Sequence, residues 1–206
     1  MPDISPTYQN PHLKSAGVLP YAVNPSDNKT YVLLSQHDDS GHDCDTDKWE
    51  AFGGFQQELT LMEAAFVETW EESRQLIHLS PDNVDWNRLI VFEHYQNKYL
   101  QLMLPIAFDP KLPEEFQKRH FDDFHLMEKR KITWVLLEDL ISAVQSAGIS
   151  EDAKPCACIS IGDEKLPLRP AFIETMASLL AAAPGVCEQV ANQSLCLDSP
   201  LVISSV

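Results

Sequence analysis

Apolar positions along the chain fall into short runs of strand period separated by turn residues, with stretches of helical period between them. Lys14 to Val23 (KSAGVLPYAV) and Thr30 to Gln36 (TYVLLSQ) read as two strands. The NPSDN turn at 24–28 lies between them, so the pair predicts a hairpin. Arg88 to Tyr95 (RLIVFEHY) and Tyr99 to Ala107 (YLQLMLPIA) read as a second strand pair across Gln96-Asn97-Lys98. Ile132 to Leu136 (ITWVL) predicts a short strand that runs through LEDL into a helix ending near Ala147. The charged segment 109–124 holds a short helix from Pro113, and Cys156 to Ile161 a small strand. Arg169 to Ala182 predicts a helix with Pro170 in its first turn, where proline is tolerated.

The densest pattern is residues 49–77, WEAFGGFQQELTLMEAAFVETWEESRQLI. Gly53-Gly54 end an apolar stretch, and a helical pattern follows a short polar loop. Thr60 is the expected N-cap, with Glu63 three residues on as its capping-box partner, so the helix should begin near Leu61. Met62, Phe66, Trp70 and Ile77 form a ridge that can be buried. Glu68, Glu71 and Glu72 fall on the opposite side, within roughly a third of the circumference.

That spacing carries the candidate chemistry. Like charges at i, i+3 and i+4 weaken an isolated helix by a few tenths of a kcal/mol per pair, on the order of 0.2–0.5. A hard divalent cation takes oxygen ligands and turns the same cost into a site. The plainer alternative is a solvated acidic face. Gly53-Gly54, in the loop before the helix, let backbone approach a ligand closely, or simply make a tight turn.

Composition narrows the partners. The chain has 206 residues with 15 basic and 31 acidic side chains, a net charge of −16. A broad nucleic-acid-binding surface is disfavoured. No run of 18 apolar residues exists, so no membrane-spanning helix is expected. The first residues lack the basic and apolar regions of a signal peptide. The five cysteines (Cys44, Cys156, Cys158, Cys187, Cys196) match no metal-ligand spacing and read as free thiols of a cytoplasmic protein. The loop HDDSGHDCDTDKW at 37–49 combines His37, His42, Cys44 and several Asp. It invites a metal reading without ligand spacing, and exposed loops use the same residues.

Residues 49–77 resemble the Nudix box, written GX5EX7REUXEEXGU with U aliphatic. Glu68 stands at the Glu of the RE pair, Glu71 and Glu72 at the EE pair, and Gly53-Gly54 at the glycine pair, with Trp49-Glu50 before them. Val67 stands where the box has Arg, and Arg74 where it has its last Gly. The loop is one residue short, so the first Glu of the box is replaced by Leu59 or displaced to Glu58. The resemblance implies an α/β fold, a Nudix-like α/β/α sandwich with a mixed, partly antiparallel sheet. It spans about 14–182, after a flexible arm at 1–13. The tail at 183–206 is left open between disorder, an added strand and an address.

What the resemblance implies for function is a metal-dependent hydrolase of a nucleoside diphosphate derivative. Mg²⁺ or Mn²⁺ would sit on Gly53, Glu68, Glu71 and Glu72. Glu68, Glu71 or Glu128, which lies six residues before Trp134, would serve as catalytic carboxylate. Trp49 and Gly54 would contact substrate. Trp49, Tyr21, Phe92 and Tyr95 could stack on a base or be ordinary packing. The missing Arg leaves the carboxylates without a bidentate clamp. Arg74 lies too far round the helix to replace it. The alternatives are a degenerate domain that binds a nucleotide or a protein without turnover, and an unrelated α/β domain. Partners carried over by analogy are a small nucleotide and a second copy of the chain.

Overall fold

Alternating side chains divide the central sheet into two apolar faces, and each face is covered by helix. The computed structural model describes residues 8–38, 46–150, 153–195 and 199–205. The chain runs β1 (Ser15–Asn24), β2 (Lys29–His37), β3 (Trp49–Glu50), β4 (Phe52–Phe55) and α1 (Leu61–Glu72). It continues with β5 (Ile90–His94), β6 (Tyr99–Pro105), α2 (Leu112–Lys118), β7 (Lys129–Leu136) and α3 (Leu137–Gln145). Two small hairpins follow, β8 (Gly148–Ile149) with β9 (Pro155–Cys156) and β10 (Cys158–Ile161) with β11 (Glu164–Pro167). The last elements are α4 (Pro170–Ala182), α5 (Pro184–Ala191) and β12 (Leu201–Ser204).

The sheet order is β12–β5–β6–β1–β2–β3, with β4 also on β1 and β7 also on β2. β1 and β6 run parallel, as do β12 and β5, and the other pairs are antiparallel. β1 shows how the faces are set. Its Ala16 and Val18 pack with Leu61, Met62, Ala65 and Phe66 of α1. Its Leu19 and Tyr21 pack on the other face with Leu137 and Leu140 of α3 and Phe172, Ile173 and Met176 of α4. The result is an α/β/α sandwich around a mixed sheet.

The domain is larger than the 14–182 span read from the resemblance. After residue 182, α5 buries Val186, Cys187 and Val190 in the core. β12 then extends the sheet beside β5, so the added strand is the alternative this segment takes. A four-residue strand is too short for its periodicity to announce itself. The described part of the N-terminal arm is also packed, with Tyr8 and Leu13 buried. Glu93 of β5 holds both ends: its carboxylate accepts from Tyr8 Oη, Asn10 Nδ2, Tyr95 Oη and Ser204 Oγ. Burial alone would raise its pKa, but these donors hold Glu93 below its ordinary value. Among the described residues no single helix is long and apolar enough to cross a membrane.

Candidate functional site

α1 begins where its capping residues dictate. Thr60 Oγ1 accepts from the Glu63 N–H at 3.1 Å, and Glu63 Oε2 accepts from the Thr60 N–H at 2.9 Å. Met62 and Phe66 are buried on the sheet side and Val67 faces outward. The helix ends after Glu72, and Arg74 and Gln75 take left-handed φ values of 54° and 62°. This backbone reversal, at the position where the box has glycine, turns the Arg74 side chain away from the glutamates. Its Nη1 donates to the carbonyls of Phe116 (3.1 Å) and Arg119 (2.9 Å), and its Nη2 to that of Lys129 (3.0 Å). The guanidinium lies 4.1 Å over the Phe116 ring. Arg74 is therefore a brace for the start of β7.

The brace meets β7 at an irregularity. Gln36 pairs with Lys131, but His37 pairs with Lys129, so the register skips Arg130. Strict alternation from Ile132 would have brought Arg130 to this face. The skipped residue brings Lys129 instead, in the way a bulge re-aims a side chain. Its side chain is 2% exposed. Lys129 Nζ lies 2.7 Å from Glu50 Oε1 and 3.0 Å from Glu72 Oε1. Arg169, at the N-cap of α4, donates from Nη1 to Glu50 Oε2 at 2.9 Å. The Gly53 N–H donates to Glu72 Oε2 at 2.8 Å. These contacts form one continuous chain: Arg169, Glu50, Lys129, Glu72, Gly53.

The charges balance in number, two carboxylates against two cations, but not in strength. Burial opposes charge on Glu50, and Lys129 and Arg169 more than offset it, so its pKa falls below the ordinary value. Burial raises Glu72 to about 8; Lys129 pulls it down and Glu50 pushes it up. Burial disfavours the ammonium of Lys129, yet Glu50 and Glu72 together hold its pKa above the ordinary value. Burial thus weighs more heavily on Glu72 than on Glu50, which has two cations to hold it charged.

The ion-pair chain forms the floor of a cavity of about 360 Å³. Gly53 and Gly54 form one wall, α4 contributes Ala171, Phe172 and Thr175, and Glu128, Tyr99 and Phe55 are among the other lining residues. Both glycines are there for space. A Cβ on Gly53 would lie 2.6 Å from Gly17 Cα and 2.7 Å from the Ala16 carbonyl. A Cβ on Gly54 would lie 2.3 Å from the Glu68 carboxyl. Phe55 is 73% exposed, and Tyr99 lies across Gly17 and Gly53.

Several expected roles change here. Gly53, Gly54, Glu72 and Glu128 come together at the cavity, whereas Glu68 packs on Gly54 and neither it nor Glu71 lines the cavity. Trp49 is buried in the core and does not line the cavity; its carbonyl accepts from the Arg169 N–H at 2.9 Å. Tyr21 and Phe92 are core residues as well. His37 lines the cavity, while His42 and Cys44 lie outside the described residues. Glu50, Lys129 and Arg169 were not singled out by sequence. The only signal was the position of Glu50 beside Trp49. Lys129 is one of four consecutive charged residues at 128–131, and nothing local sets it apart from its neighbours.

No family model matches this sequence, and no curated relative does. Solved structures are similar to it in backbone. A Nudix hydrolase from M. smegmatis, RenU, shares 15% identity over 84% of this chain and 87% of that one, with a TM-score of 0.46. A MutT/nudix family protein from Enterococcus faecalis shares 14% over 91% and 70%, TM-score 0.47. A NUDIX hydrolase from Nitrosomonas europaea shares 16% over 96% and 81%, TM-score 0.41. The likeness is to Nudix proteins. It is a likeness of general backbone outline.

A Nudix-like site implies Mg²⁺ or Mn²⁺ on the helix carboxylates, and the residues present do not fit that ion. Glu72 Oε1 faces the Lys129 ammonium and Oε2 the Gly53 N–H. Among the described residues no group of three or more His, Cys, Asp or Glu side chains could hold a metal. Within the expected ligand set, the Glu68 carboxyl lies against Gly54 and Glu72 is turned to Lys129.

Proposed function

We propose that this chain is a Nudix-like domain that binds a nucleoside diphosphate derivative in the cavity without hydrolysing it. The observation that carries the reading is the Lys129 ammonium between Glu50 and Glu72, at 2.7 and 3.0 Å. The carboxylate that would organise a metal-activated water is turned to a cation of the protein itself. The cavity nonetheless keeps what a phosphate-bearing ligand needs. Arg169 and Lys129 line it as cations within the ion-pair chain, and the N-terminus of α4, with its partial positive charge, opens on the same space. Phe55 and Tyr99 offer ring faces for a base. The volume is that of an ordinary small-molecule site.

A second reading is the metal-dependent hydrolase. It is favoured by Glu128 on the cavity wall and by Glu68 held against Gly54, two carboxylates close to a ligand's path. Calorimetric titration and product assay with ADP-ribose, dinucleoside polyphosphates, NADH and nucleoside triphosphates separate the two. Binding without release of phosphate or nucleoside monophosphate, weakened by Arg169→Ala, is the expected result. Turnover that needs Mg²⁺ or Mn²⁺ and disappears in Glu72→Gln would establish the hydrolase instead. A panel in which nothing binds would refute the ligand reading.

A further inference from the structure

We infer that Lys129 is the resident cation of this site, standing where a divalent ion would otherwise be held, so that the cavity binds its ligand without metal and excludes metal from Glu50 and Glu72. The ammonium is buried, and two of its three donors are used by the two carboxylates. It is fixed from behind: the Arg74 guanidinium holds the Lys129 carbonyl at 3.0 Å, and the register skip at Arg130 aims the side chain inward. The brace and the strand irregularity together fix the backbone from which the side chain reaches in. Arg169 on Glu50 completes the neutralisation, so the floor has no net negative charge left to attract a second cation. A divalent ion entering beside Glu72 would meet a buried ammonium at contact distance, and that repulsion acts in a region poorly screened by water.

The same geometry says what removal of the ammonium does. Without Lys129, the Glu50 and Glu72 carboxylates that now meet at its ammonium are left as hard oxygen ligands around the vacated position. Lys129→Met keeps a side chain of similar length and deletes only the charge. It should convert an ion-paired floor into a divalent-metal site. As far as it concerns the ligand, the inference rests on the binding reading above; as far as it concerns the cation, it stands on the ion pairs alone.

The test is a titration with Mn²⁺ alone, read by the electron paramagnetic resonance signal of the free aquo ion, on the full chain. The wild type should show no saturable site below millimolar concentrations. Lys129→Met should gain one site, tighter by about tenfold or more, and lose it again when Glu72→Gln is added. A wild-type site at micromolar Mn²⁺ that Glu72→Gln abolishes would overturn the inference. So would a folded Lys129→Met protein with no gain. If Lys129→Met does not fold, the ¹⁵N-detected ammonium resonance of Lys129 in the wild type decides. A slowly exchanging signal unmoved by millimolar Mg²⁺ supports the inference, and displacement or loss of that signal on adding Mg²⁺ overturns it. Nucleotide titrations run in EDTA and in Mg²⁺ address the ligand separately: equal affinities support metal-free binding, and binding only in Mg²⁺ overturns it. A panel that binds in neither buffer removes the ligand reading and leaves the Mn²⁺ result standing.

Discussion

Arg74→Gly would place glycine where the Nudix box has it, and the structure predicts that it destabilises the protein. Three hydrogen bonds are lost, to the carbonyls of Phe116, Arg119 and Lys129, together with the stacking on Phe116. Hydrogen bonds to a charged donor are worth about 1.5–3 kcal/mol each, which sets a ceiling of roughly 5–9 kcal/mol for three. Two effects reduce it. Burial lowers the pKa of Arg74, a sign that keeping the guanidinium there costs free energy that the variant no longer bears. Glycine also relieves the left-handed φ of 54°, worth about 1 kcal/mol. A net loss of about 2–4 kcal/mol remains, a large share of the stability of an ordinary domain. Urea denaturation followed by tryptophan fluorescence measures it, through the midpoint and slope. Arg74→Lys, which keeps the charge without the planar fork, should fall between the two. If Arg74→Gly is within about 0.5 kcal/mol of the wild type, or more stable, the bracing role is wrong.

Two further outcomes follow from the same floor. Glu72 is raised from 4.5 to about 8 in the fold, so the folded state keeps a proton that the unfolded chain releases. Its contribution to stability therefore falls as pH rises between those values. Glu72→Gln lacks that loss, so its melting temperature relative to wild type should climb from pH 5 to pH 8 and then level. His94, lowered by burial and in contact with Thr175 and Ser178, titrates in the opposite sense but is common to both proteins and cancels. A flat difference across that window would show that Glu72 is charged throughout. The glycine pair should also separate. Gly53→Ala meets backbone at 2.6 and 2.7 Å and should cost about 2–3 kcal/mol, whereas Gly54→Ala meets only the movable Glu68 carboxyl and should cost less in a melting experiment. Equal costs would mean that Glu68 is held rigidly.

Much of the fold was legible because the signals were local. The β1–β2 and β5–β6 pairs, the α1 start at Thr60 and the α4 helix each depend on residues within a few positions, and the structure has them within one or two residues of where the pattern predicts. Leu201 to Ser204 could not be read that way, since a short strand acquires meaning only beside Ile90 to Glu93. The candidate site divides similarly. Gly53, Gly54 and Glu72 belong to one contiguous stretch, and the structure brings them to the cavity. Trp49 was misplaced because a tryptophan before a glycine pair suits a ligand wall and a core equally well until the packing of α4 is known.

By itself, then, the sequence determined an α/β domain with a glycine-entered, capped helix that presents carboxylates on one side, because period, capping and turn chemistry act over a few residues. Only the tertiary structure decided what those carboxylates meet. Glu50, Glu72, Lys129 and Arg169 come from four separate elements, and each looks locally like an exposed charge. The register skip at Arg130 chooses Lys129 over its neighbour, and Arg74, turned by a left-handed backbone, holds it there. Whether Glu72 faces a metal ion or an ammonium depends on charges brought together in a buried region, where desolvation makes each partner decisive.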